Sequence, residues 1–402
     1  MTDQTHDPAL KSWVESANLP GSDFPIQNLP FATCNGGRVG VAIGDQILDA
    51  TAVFDVAALR DVMAMPREKR RELRRRISQY LAVHTPGVEM HLSPMSAARF
   101  EVACPIGDYS DFYASIHHAT NVGSMFRPEH PLLPNYKWLP VGYHGRASSI
   151  VLSGSPIRRP HGQIAESPAG PPVYALSRRL DYELEVGAFL GPGNPLGQPI
   201  PIAEAADHIV GLCLLNDWSA RDMQTWEYQP LGPFLAKSFA TSISPWLVTM
   251  EALEPFRRAL EPRPPGDPQP LPHLATTAPD AIAITLEVWL RSSSMAGPMR
   301  ISRGNFAQLY WSLSQMVAHH SSNGCNLRPG DLIGSGTVSG PTKENRGCLL
   351  EVTWRGTEPI ELPTGERRTF LEDGDEVILR GWCETPGYRR IGFGECRGVI
   401  TG

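Results

Sequence analysis

The 402-residue chain has no Cys-x-x-Cys spacing, although it carries seven cysteines, at positions 34, 104, 213, 325, 348, 383 and 396. An odd number without paired spacing excludes a disulfide framework and a zinc-ribbon site. It predicts reduced, mostly buried thiols in a cytoplasmic protein. No apolar run approaches the ~20 residues a membrane-spanning helix needs. The start of the chain has neither a basic n-region nor an apolar h-region, so export is not expected. Positive charge is also scarce, and a formal net charge of -6 argues against nucleic acid as a partner. One dense basic run occupies residues 69–76. Leu73, Ile77, Tyr80 and Leu81 sit through it at helical spacing, which predicts a helix whose bases form a solvated face.

A hydrophobic content of 41% and a charged content of 19% describe a globular protein, and the length predicts two domains. Residues 1–105 read as the smaller unit. Arg38-Val39-Gly40-Val41-Ala42-Ile43 and Gln46-Ile47-Leu48 form a hairpin-like pair of β runs around Gly44-Asp45. Residues 54–83 read as helix broken near Pro66, with Leu59, Val62 and Met63 on one face. Residues 106–402 carry many short strands and few helices, which predicts a mainly β (α+β) catalytic unit.

The sharpest chemical signal is Leu180-Asp181-Tyr182-Glu183-Leu184-Glu185-Val186. Its alternation predicts a strand with Glu183 and Glu185 on one face and Tyr182, Leu184 and Val186 on the other. Carboxylates held side by side raise each other's pKa unless a cation separates them, and oxygen ligands suit Mg²⁺ or Ca²⁺. A charged strand face in water is the competing reading. The apolar run Ile209-Val210-Gly211-Leu212-Cys213-Leu214-Leu215 tips the balance, because it ends at Asn216-Asp217 and places a third acid where a buried strand stops.

Around these acids lie polar stretches without periodicity. Residues 107–127 read as a loop that offers Asp111 as a fourth oxygen ligand and His117 or His118 as a general base. Residues 138–146 read as a glycine-rich loop with Tyr143 and Arg146, and 156–172 as proline-rich surface. Residues 221–228 read as a short helix with Arg221, Gln224 and Tyr228 on one face, donors suited to an oxyanion. Lys237 stands in a small, apolar run. Residues 255–279 read as a surface loop and 302–321 as the clearest helix, capped by Ser302 or Asn305 and striped by Phe306, Leu309, Tyr310, Leu313, Met316 and Val317. His319 and His320 at its end read as structural. Residues 349–354 read as alternating, with Glu351 opposite Leu350 and Val352, and the tail as short strands.

The stretches 108–127, 139–149, 180–185, 216–241, 319–337 and 370–394 resemble the fumarylacetoacetate hydrolase family. The resemblance implies a small N-terminal SH3-like barrel domain, a larger C-terminal mixed β-roll domain and a homodimer. It implies metal carboxylates at Asp111, Glu183, Glu185 and Asp217, with Lys237 and Thr241 at cation positions through oxygen atoms such as backbone carbonyls, since an ammonium cannot ligate. The base position then matches His118, which precedes Ala119-Thr120-Asn121-Val122-Gly123, with Glu351 orienting it. Tyr113, Arg127, Tyr143, Gln224, Tyr228 and Thr337 match substrate contacts, and Arg221, Gln224 and Lys237 match oxyanion donors. The implied reaction is hydrolytic C–C cleavage of a diketo-dicarboxylate, 4-fumarylacetoacetate, at the end of tyrosine and homogentisate breakdown. Rival readings are an acylpyruvase, decarboxylase or hydratase of the same superfamily, and a non-catalytic Ca²⁺-stabilised β scaffold.

Overall fold

The computed structural model describes residues 2–84, 86–167 and 170–402. Met1 of the start segment, and Pro168 and Ala169 of the stretch read as surface, lie outside the described residues. The fold is mainly β, and two strands set its centre. Ile209–Asp217 and Leu184–Leu190 are buried at every position, as an unbroken apolar run demands. They pair antiparallel with Glu185 opposite Leu215, in the middle of an eight-stranded mixed sheet. On one side follow Leu332–Gly334, then Tyr109–Phe112 parallel to it, then Gly142–His144. On the other side lie Thr241–Ile243 and Val248–Thr249, with Ile150–Leu152 parallel to Thr241–Ile243. Antiparallel pairing sets the end of one strand beside the start of the next. Asp111, Glu185, Asp217 and Thr241 therefore gather at one end of these strands.

The two faces of this sheet bury against different partners. Leu184, Val186, Ala188, Leu212 and Leu214 share a core with Leu286, Val288, Val377, Leu379 and Phe393. Those come from a five-stranded sheet of Met299–Asn305, Thr285–Arg291, Glu376–Cys383, Ile391–Thr401 and Pro156–Arg158. The opposite face, with Phe189, Val210, Cys213, Leu215 and Leu332, shares a core with Val39, Val41, Ile43 and Leu48. Each such fully buried Leu, Ile or Phe contributes roughly 1.5–3 kcal/mol. The N-terminal partner is a five-stranded antiparallel sheet that includes Arg38–Ile43 and Gln46–Asp49. Helices Leu59–Ala64 and Arg67–Ala82 break at Pro66 as expected. Six of the seven thiols are buried, Cys325 is partly exposed, and all are free. Among the described residues no helix is long and apolar enough to cross a membrane.

Several expectations need correction. The helix expected over 302–321 is only Leu313–Ser321. Residues up to Asn305 pair with Thr285–Arg291, and Phe306–Gln308 form a 3-10 turn capped by Asn305. The true start is Ser312, whose hydroxyl and Gln315 make a reciprocal capping box; the apolar spacing ran through a strand end and a turn by coincidence. The expected loop at 107–127 is strand Tyr109–Phe112 followed by helix Ile116–Phe126 capped by Ser115. The stretches 138–146 and 156–172 contain strands Gly142–His144, Pro156–Arg158 and His161–Ala165. The tail pairs as two long strands rather than short ones. The basic run is not wholly solvated. Arg70 and Arg74 are buried, Arg70 against Glu251, and Arg74 donating to the carbonyls of Gln27 and Asn28.

Candidate active site

Glu183 does not lie within the strand that carries Glu185. Leu180–Asp181 pairs with Ser219–Ala220, the chain then changes partner, and the central strand begins at Leu184. Asn216 accepts the Glu183 N–H at 3.1 Å across this break. The two glutamates consequently meet different company. Glu183 Oε1 lies 2.7 Å from Arg221 Nη1, and its Oε2 lies 2.6 Å from Lys237 Nζ. Burial raises the Glu183 carboxyl, but Lys237 and Arg221 outweigh it and hold it below the usual range.

Asp111, Glu185 and Asp217 converge instead on one another. One oxygen from each lies within 4.8 Å of the others, and all three are buried. Burial and the Asp217 charge push Asp111 up to about 8 against the pull of Lys237. Glu185 is driven well up by burial and by Asp111 and Asp217. Asp217 is raised chiefly by burial although Lys237 bonds to it. Glu185 Oε1 has no hydrogen-bond partner. A Cβ on Gly334 would sit 2.3 Å from Asp111 Oδ1 and 3.0 Å from Glu185 Oε2, so only glycine leaves this bed open. Three buried acids with an orphaned oxygen fit a hard divalent cation. The Thr241 hydroxyl reaches Asp217 Oδ1 at 3.3 Å, and the Tyr143 hydroxyl lies 3.1 Å from Asp111 and 2.9 Å from Asp217. Tyr143, matched to substrate, thus also borders the acids.

His118 stands on the first turn of Ile116–Phe126, where Ser115 Oγ accepts its backbone N–H at 3.3 Å. His118 Nδ1 is 2.6 Å from Glu351 Oε2. Since a carboxylate only accepts, Nδ1 carries the proton. Glu351 lies on a single helical turn, Leu349–Val352, and not on a strand. It accepts further bonds from Ser339 Oγ at 2.8 Å, Asn121 Nδ2 at 2.8 Å and Cys348 Sγ at 3.2 Å. Burial raises this carboxyl, yet His118 and these donors bring it down to about 2. His117, one residue away on the helix, is only half-buried and makes no such contact.

One cavity of about 370 Å³ joins these parts. Asp111, Tyr113, His118, Arg127, Tyr143, Glu183, Arg221, Gln224, Tyr228, Lys237 and Thr337 line it, while Glu185, Asp217, Thr241 and Glu351 stand behind. Helix Arg221–Glu227 forms as expected and turns Arg221 and Gln224 to the same side. Arg221 Nη1 donates to Gln224 Oε1 at 3.1 Å. The buried Thr337 hydroxyl has no protein partner. The Arg127 guanidinium donates to the Pro131 carbonyl at 3.3 Å. A larger cavity of about 650 Å³ lies elsewhere, lined by Asp108, Arg328 and His320 among others. Asp108 and Arg328 pair with each other there, and neither His118 nor the acid cluster lines it.

Residues 109–401 match the family described as fumarylacetoacetate (FAA) hydrolase, C-terminal. The chain belongs to the fumarylacetoacetate hydrolase family. Curated relatives of this family include the human fumarylacetoacetase, 48% identical over 94% of this chain and 96% of that one. The Arabidopsis thaliana fumarylacetoacetase is 47% identical over 98% of each. Among solved structures of the same fold are a fumarylacetoacetate hydrolase from Exiguobacterium antarcticum, at TM-score 0.53, 16% identity and 93% and 99% coverage. Another is a maleylpyruvate hydrolase from Sphingobium sp. SYK-6 solved with manganese(II) and pyruvate, at TM-score 0.51, 16% identity and 92% and 98% coverage.

Sequence reasoning missed Asp181, Asn121, Ser339, Cys348 and Gly334. Asp181 had a signal, standing two residues before Glu183 in the same acidic alternation. Asn121 and Gly334 had none, because their partners lie far along the chain; Ser339 and Cys348 stand close before Glu351, but in a stretch whose turn was not readable as one.

Proposed function

We propose that the chain is a metal-dependent hydrolase that cleaves 4-fumarylacetoacetate to fumarate and acetoacetate, the closing step of tyrosine, phenylalanine and homogentisate breakdown. The observation that carries this reading is the His118–Glu351 pair at 2.6 Å, opening on a cavity it shares with Arg221, Gln224 and Lys237. A decarboxylase needs no such water-activating pair.

His118 Nε2 takes a proton from water, and the oxygen adds to the fumaryl carbonyl carbon. Glu351 keeps Nδ1 protonated and balances the imidazolium that forms. Arg221, Gln224 and Lys237 donate to the oxyanion, each contact contributing about 2.7–4 kcal/mol by comparison with similar sites. The tetrahedral adduct collapses, the C–C bond breaks, and the acetoacetate carbanion takes the proton back from His118. Arg127, Tyr113, Tyr143, Tyr228 and Thr337 hold the carboxylates and oxygens of the substrate. Asp111, Glu183, Glu185 and Asp217, with oxygens of Lys237 and Thr241, would hold Mg²⁺ or Ca²⁺, which supplies Lewis-acid polarisation of the diketone.

The family likeness further supports a homodimer and a division into residues 1–105 as an SH3-like barrel and 106–402 as a β-roll, and the free, mostly buried thiols support a cytoplasmic setting. The test is the loss of the diketone absorbance of fumarylacetoacetate with Mg²⁺ or Ca²⁺. Turnover abolished by chelator and restored by the ion is expected; a chain inert in every ion overturns the reading.

A further inference from the structure

The helical turn that carries Glu351 lacks a cap of its own. Leu349–Val352 is four residues long, and Cys348 before it makes no side-chain capping bond. The exposed N–H groups of such a turn need an acceptor when buried. Asp181 supplies it from 168 residues away: Oδ1 accepts from Leu349 N at 2.8 Å, and Oδ2 from Leu350 N at 3.0 Å. Its own neighbour Tyr182 adds a third backbone bond to Oδ1 at 2.8 Å.

The same Oδ2 accepts from Arg221 Nε at 2.9 Å. Arg221 Nη2 lies 2.9 Å from it as well, an ion-pair contact off the N–H direction. Asp181 is 0% exposed and lines no part of the cavity. One hidden carboxylate thus ties the arginine that faces the substrate to the turn that orients the base. Remove it, and a guanidinium and three backbone N–H groups are left without that acceptor.

We propose that Asp181 is a positioning residue that fixes the Arg221 guanidinium and the Glu351 turn relative to each other, so that oxyanion stabilisation and proton transfer act on one carbonyl. This rests on the roles given above to Arg221 and Glu351. Asp181 touches no substrate; its effect passes through both residues.

The test is a set of double-mutant cycles read in kcat and KM separately, with divalent-ion affinity and melting temperature measured alongside. Asp181→Asn keeps the shape and removes the charge. It is expected to lower kcat by ~10–100-fold, the range for residues that orient a site from behind, with KM and ion affinity within about threefold of wild type. On an Arg221→Gln background, and on a Glu351→Gln background, the further loss in kcat should shrink to a few-fold, because coupled residues are not additive. Full additivity on both backgrounds, or near wild-type kcat in folded Asp181→Asn, overturns the proposal. Asp181→Ser, smaller and still an acceptor, is the second variant if Asp181→Asn does not fold. If neither folds, Asp181 serves the fold at large and the positioning role falls. A wild-type chain without turnover overturns the functional reading and this proposal together; wild-type turnover with an indifferent Asp181 overturns only the latter.

Discussion

Glu185 and Glu351 are both fully buried, both stand beside the same cavity, and differ in almost everything else. Glu351 accepts bonds from an imidazole, an amide, a hydroxyl and a thiol, and is brought down to about 2. Glu185 accepts one N–H, from Gly336 at 3.0 Å, faces Asp111 and Asp217, and keeps one oxygen without a partner. Burial alone sets the cost of charge, and the donors around the carboxylate decide whether the charge survives. Glu351 is completed by protein and serves as a fixed anion. Glu185 is left incomplete, which is what a cation site requires before its ion arrives.

The most damaging test of this contrast is Asp217→Ala, which takes an acid from the incomplete side. It should abolish divalent-ion binding by calorimetry, and with it turnover. Retained stoichiometric binding would break the assignment of that cluster. On the completed side, His118→Ala should cut kcat by ~10²–10⁴-fold while ion affinity stays near wild type. An equal loss of ion affinity would merge the two sites into one.

Stability of the metal-free protein should separate the glutamates by sign. At pH 8 Glu185→Gln should melt higher than metal-free wild type, because it removes an acid whose ionised form burial and two neighbouring carboxyls disfavour. Glu351→Gln should melt lower, because it leaves His118, Asn121 and Ser339 facing a weaker acceptor. Shifts of the same sign would refute the comparison.

The pH dependence follows from the same acids. Asp111 moves from an ordinary 3.8 to about 8 in the fold without metal. Between those values the folded state binds more protons than the unfolded chain, so stability falls as pH rises across that window. Metal-free protein should therefore melt higher at pH 5 than at pH 8, and saturating divalent ion should flatten the difference. The smallest effect belongs to His117→Ala, which should leave kcat within about threefold of wild type, since that ring has no part in the dyad; a loss matching His118→Ala would reverse the choice between the two histidines.

Where periodicity and burial agree, the sequence was legible: the run into Asp217, the Pro66 break, and the face shared by Arg221 and Gln224 were all readable locally. The site's assembly was not. That Glu183 meets Lys237 and Arg221 while Glu185 meets Asp111 and Asp217 depends on a change of strand partner at Tyr182–Glu183, which alternation cannot signal. The turn under Glu351 forms because Asp181, remote in sequence, accepts its N–H groups. The false helix over 302–321 shows the converse, a helical apolar pattern overruled by pairing with Thr285–Arg291.

The strand Leu332–Gly334 lies between Tyr109–Phe112 and Leu184–Leu190, and so between Asp111 and Glu185. It is the last of these three to leave the ribosome. A growing chain can hold both acids and still have nothing to set them side by side until residue 334 has been made and inserted. A chain stopped at residue 325 is therefore expected to bind no divalent ion by calorimetry, and stoichiometric binding would show that the acids meet without this strand.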